Sequence, residues 1–136
     1  MIQTRLLITT PIELRWRDLD ALNHVNNASF LTYFEEARLR WFATLAGPWS
    51  TSGHSPVLAA VQINYRRQLS WPRNVVVELS CERIGTTSLT LAHRLVDAAS
   101  GDGVFADGTS VLVWVDPETG KPVALPEAVR RACGAD

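Results

Sequence analysis

Hydrophobic and polar positions change period several times along the chain. Between about Thr4 and Trp16, Leu, Ile and Thr predominate, which predicts a strand with Pro11 at an edge or bulge. Arg17 to Asn27 interrupts it with two Asp and three Asn, whose side chains bond nearby backbone amides and favour turns and helix N-caps. Phe30, Tyr33, Phe34, Ala37, Trp41 and Leu45 then recur at helical spacing and predict a long helix from about Asn27 to Ala46. Glu35, Glu36, Arg38 and Arg40 are expected off that stripe, and Gly47-Pro48 stops the helix. A helix of that length runs about 30 Å, the width of a small domain, so it must be central.

Beyond the loop Ser50 to Pro56 the period shortens to two. Val57, Ala59, Val61, Ile63 and Tyr65 alternate, then Val75, Val77, Leu79 and Cys81. Two further strands, Thr87 to Val96 and Val104 to Val115, are divided by a turn at 99–103, and a second turn at 116–120 ends the last. Ala124 to Cys133 predicts a short terminal helix with Pro126 in its first turn. The order β-α-β-β-β-β buries its apolar faces most economically as an α+β fold, a curved antiparallel sheet wrapped over one long helix.

Composition narrows the class. At 136 residues, 46% hydrophobic and 20% charged, the chain fits one globular domain spanning 1–136. No run reaches the roughly 18 apolar residues of a membrane span, and Met1 to Thr10 lacks the apolar core of a secretory signal, so a cytoplasmic protein with no membrane partner is expected. Thirteen basic against fourteen acidic side chains argue against nucleic acid as a partner. Cys81 and Cys133 are too few for a disulfide framework and read as free thiols.

Most catalytic templates are missing. There is no G-x-S-x-G elbow, no phosphate-binding P-loop and no H-E-x-x-H, and His24, His54 and His93 are scattered, so no metal is expected. The segment Arg15 to Asn27 is different. It sets Asp18, Asp20, Asn23, His24, Asn26 and Asn27 between a strand and the start of the long helix, where free N–H groups and the helix dipole favour negative charge. Such a place suits an oxyanion.

Arg17-Asp18-Leu19-Asp20, His24-Val25-Asn26-Asn27, Phe30 and Glu35-Glu36-Ala37-Arg38 together resemble the D-x-D, H-V-N-N and E-x-A-R pattern of hotdog-fold acyl-CoA thioesterases of the 4-hydroxybenzoyl-CoA thioesterase-like group. The likeness continues through Ile63-Asn64-Tyr65, Ile84 to Ser88 and Val115-Asp116-Pro117 to Lys121-Pro122. It implies a hotdog fold and hydrolysis of an acyl-CoA to free acid and coenzyme A, with no metal or organic cofactor. It also makes Asp20 the catalytic carboxylate, as nucleophile or as base on water, with Asp18 its structural companion. The backbone amide that polarises the carbonyl, seven positions after the acid, falls at Asn27. His24 and Asn23 would line the cleft, and Glu35 would sit near a subunit contact. The sequence departs from the pattern at Leu22 and at Trp71-Pro72-Arg73-Asn74, where relatives show Pro and then a Gly-Asp turn.

Two readings stand beside this one. A hotdog hydratase or dehydratase would use His24 as base, but Asp20-Ala21-Leu22-Asn23-His24 fits neither of its usual patterns, and a non-catalytic acyl-CoA binding module would bind without turnover. Arg66, Arg67 and Arg73 gather near a strand end and could together hold the phosphates of coenzyme A, although each alone reads more readily as an ordinary surface arginine. Trp16, Trp49, Trp71 and Trp114 suit either packing or an aryl or medium-chain acyl group. His54 and His93 read as structural. A lone hotdog unit leaves an open sheet edge, so a homodimer or homotetramer is expected.

Overall fold

The computed structural model describes residues 5–100 and 103–134. Five strands, β1 (Arg5–Ile12), β2 (Ser55–Tyr65), β3 (Val75–Ile84), β4 (Ser88–Asp97) and β5 (Val104–Val115), form one antiparallel sheet in the order β1-β3-β4-β5-β2. The long helix α1 (Asn27–Ala43) follows a single 3-10 turn at Trp16–Asp18, and α2 (Glu127–Ala132) closes the described chain. This is the expected α+β arrangement of a sheet around one helix. The expected strand start at Thr4, and turn positions 101 and 102, lie outside the described residues.

Three boundaries move. The first strand ends at Ile12 rather than near Trp16, because the chain tightens into the 3-10 turn. α1 ends at Ala43, where the Thr44 hydroxyl donates to the Trp41 carbonyl at 2.6 Å before Gly47 is reached. Pro126 caps α2 from just outside. Only β3, β4 and β5 form a meander, while β2 crosses to the far side of β5 and becomes an edge. Gly108 permits that pairing, since a Cβ there would overlap the Gln62 carbonyl of β2.

The predicted stripe of α1 is buried against the sheet in two clusters. Phe30, Tyr33, Phe34 and Ala37 pack on Val75, Val77, Leu95 and Phe105, and Trp41 and Phe42 pack on Leu79, Leu91, Leu112 and Trp114. Arg38, expected off the stripe, is instead 7% exposed, because it lies four residues after Phe34 on the same face. Beneath it His93 is buried, its ring 3.8 Å from that of Phe34 and its Nε2 3.1 Å from the Ser110 hydroxyl. Burial and the nearby Arg38 charge hold the His93 pKa down at about 4, which keeps the ring neutral and structural near pH 7.

Candidate functional site

The loop between β1 and α1 is tied down at several points. The Val25 amide donates to the Leu69 carbonyl at 2.7 Å, the Asn26 amide to the Asp18 carbonyl at 2.8 Å, and the Asp20 amide to the His24 carbonyl at 2.8 Å. Asp20 and His24 thus close a tight turn, with Asn23 at φ 62, a left-handed conformation that Asn adopts more readily than most residues. Inside the turn Asp20 Oδ1 accepts from the Leu22 amide at 2.8 Å and the His24 amide at 3.2 Å. One carboxylate oxygen is thereby fixed, and Oδ2 carries no hydrogen bond within the described chain.

Asp18 has a different environment. It is buried, and its carboxylate accepts from the Tyr33 hydroxyl at 2.7 Å, the Arg15 amide at 3.1 Å and the Arg15 guanidinium at 3.2 Å. Burial pushes its pKa up, but these three donors and the Arg15 charge outweigh it and hold the group below the ordinary 3.8. Burial and the Asp18 charge raise the Tyr33 hydroxyl in turn, so it stays a donor. Asp18 therefore anchors the loop to α1.

The helix start offers the second half of the site. Asn26 is the N-cap; its side chain accepts from the Ala28 amide at 2.8 Å and its carbonyl from the Ser29 amide at 2.9 Å. With those two donors engaged, the Asn27 amide is left without a partner among the described residues, at the positive end of the helix dipole. The Tyr65 hydroxyl, at the end of β2, donates to the Asn27 carbonyl at 3.0 Å, and its ring meets Phe30 edge-on at 5.2 Å. Tyr65 thus pins the first turn of the helix, a role that spacing alone did not suggest, although the residue lies within the recognised Ile63-Asn64-Tyr65 motif.

Asp20, His24, Asn27, Tyr65, Arg66 and Arg67 line one cavity of about 310 Å³. Asn23 does not share it. It faces a neighbouring cavity, because alternate residues of the turn point to its two sides. Glu35 is exposed and lies eight residues beyond Asn27, about 12 Å along the helix, outside this cavity. Of the arginines, Arg66 is held by Asp107 at 3.1 to 3.3 Å, while Arg67 lies over the Phe105 ring at 4.6 Å without an acidic partner among the described residues. Arg73 is outside the lining, bonded to Asp97 at 2.9 Å and 5.0 Å from the centroid of the same Phe105 ring. Among the described residues no three His, Cys, Asp or Glu side chains group as metal ligands, and no helix is long and apolar enough to cross a membrane.

Comparison with known proteins adds a third kind of observation. A family model described as the thioesterase-like superfamily matches residues 14–133. The PA2801 protein of Pseudomonas aeruginosa has a similar structure, with a TM-score of 0.88 and 38% identity over 94% of this chain and 98% of its own. A Thermus thermophilus thioesterase, solved with coenzyme A and zinc, has a TM-score of 0.80 and 37% identity over 96% of this chain and all of its own. The long-chain acyl-CoA thioesterase FadM of Escherichia coli is 29% identical over 89% of this chain and 92% of its own.

Proposed function

Because this chain belongs to the thioesterase-like superfamily and is a hotdog-fold hydrolase, we propose that it cleaves acyl-CoA thioesters to a carboxylic acid and coenzyme A. The observation that carries the reading is that Asp20, with one carboxylate oxygen free of hydrogen bonds, and Asn27, whose amide has no partner among the described residues, line one cavity. A thioester carbonyl accepting from that amide gains most as negative charge builds on its oxygen. Asp20 then acts on the carbonyl carbon in one of two ways. Direct attack expels the coenzyme A thiolate and forms a mixed anhydride that water hydrolyses; alternatively, Asp20 takes a proton from a water that attacks. Both routes need one free carboxylate oxygen beside the oxyanion donor. A free-thiol assay across short, medium, long and aryl acyl-CoAs tests the reading, and ligand-induced stabilisation without thiol release from any of them would replace it with a binding module.

Arg67 is the cation best placed to hold a coenzyme A phosphate, since Arg66 already engages Asp107. Arg67→Ala should raise KM for coenzyme A thioesters about tenfold, the scale of one charge-assisted hydrogen bond, and leave thioesters of truncated pantetheine unaffected. Arg66→Ala should cost less. An equal loss on both substrates would remove Arg67 from the phosphate site.

The same reading includes self-association. β2 pairs on one side only, its outer backbone groups are open, and Val57, Leu58, Val61 and Tyr65 along it are 39 to 48% exposed. A second copy adding its own β2 would cover that edge and shelter the exposed Asp20 and Asn27 from bulk water. Light scattering should give two or four times the 15.0 kDa chain mass. An active particle of 15.0 kDa would exclude it.

A further inference from the structure

Asp20 borders a second cavity, of about 430 Å³, lined by Trp16, Leu19, Ala21, Asn23 and Trp71 as well. Leu22 and His24 face the first cavity, Ala21 and Asn23 the second, so the two flank the turn that carries the carboxylate. Their chemistry is opposite. The first holds Arg66 and Arg67, whereas the second contains no basic side chain and is walled by two indoles. Trp16 and Trp71 meet edge to face, with centroids 5.6 Å apart and planes at 83°. They are also 70% and 41% exposed. Trp114 and Trp49, by contrast, are spent on packing: Trp114 is buried with its indole N–H on the Trp49 carbonyl, and Trp49 stacks on Phe42.

We propose that the Trp16–Trp71 corner is the acyl subsite and that it selects planar aromatic acyl groups; this rests on the thioesterase reading above. A thioester held at Asn27 by its carbonyl must send its anionic coenzyme A half and its apolar acyl half away from the reacting carbon. The arginine-lined cavity matches the first, and the indole-lined cavity matches the second. Two orthogonal indole faces receive a flat ring well, because the ring stacks on one while presenting its edge to the other, both favourable arrangements of the aromatic quadrupole. A flexible alkyl chain gains only area from the same corner and loses rotamer freedom on binding. Leaving two large apolar side chains in water is costly to solubility, and a substrate ring accounts for their exposure.

The test compares benzoyl-CoA with heptanoyl-CoA, which carry the same number of acyl carbons, in the intact protein by thiol release. The wild type should favour benzoyl-CoA in kcat/KM. Trp16→Ala, at a site exposed enough to leave folding intact, should cut that preference about tenfold, chiefly through a higher KM for benzoyl-CoA. Trp16→Phe should restore most of it, and Trp71→Leu should act in the same direction as Trp16→Ala. A thermal melt checks that each variant is folded. A wild type that prefers heptanoyl-CoA, or a Trp16→Ala protein that treats both substrates as the wild type does, overturns the subsite and leaves the thioesterase reading standing. Release of no thiol from any acyl-CoA removes both.

Discussion

Asp20→Asn is expected to lower turnover by about 10² or more, with a smaller change in KM and almost none in stability. The substitution is nearly isosteric, and its carbonyl oxygen can still accept from the Leu22 and His24 amides that hold Oδ1 now. The turn should therefore keep its shape. What is lost is the second anionic oxygen, since an amide neither attacks a thioester nor takes a proton from water. Steady-state thiol release and a denaturant melt on the same preparation separate the two effects. Near wild-type turnover in a folded Asp20→Asn oligomer, with His24→Ala inactive, would transfer the chemistry to the imidazole.

Asp18→Asn should show the converse, a loss of about 1 to 3 kcal/mol in unfolding free energy at neutral pH, the scale of a buried group left with mismatched partners. An amide in place of this carboxylate turns a donor toward the Tyr33 hydroxyl or the Arg15 groups, all of which donate in the wild type. The deficit should also depend on pH. Because the folded group lies below 3.8, its contribution is complete above that value. As the pH falls below it the unfolded chain takes up the proton first, and the contribution drains away through the folded pKa. Urea midpoints of the two proteins should therefore converge in acid. A gap of constant size would mean that shape, rather than charge, is what Asp18 supplies.

Local features of this molecule were readable from the chain, and long-range ones were not. The stripe from Phe30 to Trp41 and an Asn cap at the helix start, at Asn26 or Asn27, depend on spacing of a few residues, and so does the alternation in β3. The crossing of β2 to the outer side of β5 depends on pairing residues more than forty apart, such as Tyr65 with Ala106, for which no local pattern exists. Arg38 departs from the expected exposure because its place on the helix wheel, four residues after Phe34, outweighs its charged type. In the candidate site, Asp18, Asp20 and Asn27 share one short segment and a family motif, which is why the sequence groups them. The Tyr65 hydroxyl on Asn27, the Asp107 carboxylate on Arg66 and the contact of Trp16 with Trp71 each join distant positions, and only folding brings them into view.

The hydrogen bonds between Asp18 and Asn26, Asp20 and His24, and Val25 and Leu69 clamp the base of the turn, not its tip. The acid and the amide are consequently spaced by the clamp, and the side chains of Ala21 and Leu22, exposed at the tip, bear none of that burden, Leu22 giving only its backbone amide to Asp20 Oδ1. Side chains there are free to vary in size and polarity without moving Asp20 or Asn27. A turn clamped at its base therefore tolerates exchange at its tip while the spacing between Asp20 and Asn27 is kept.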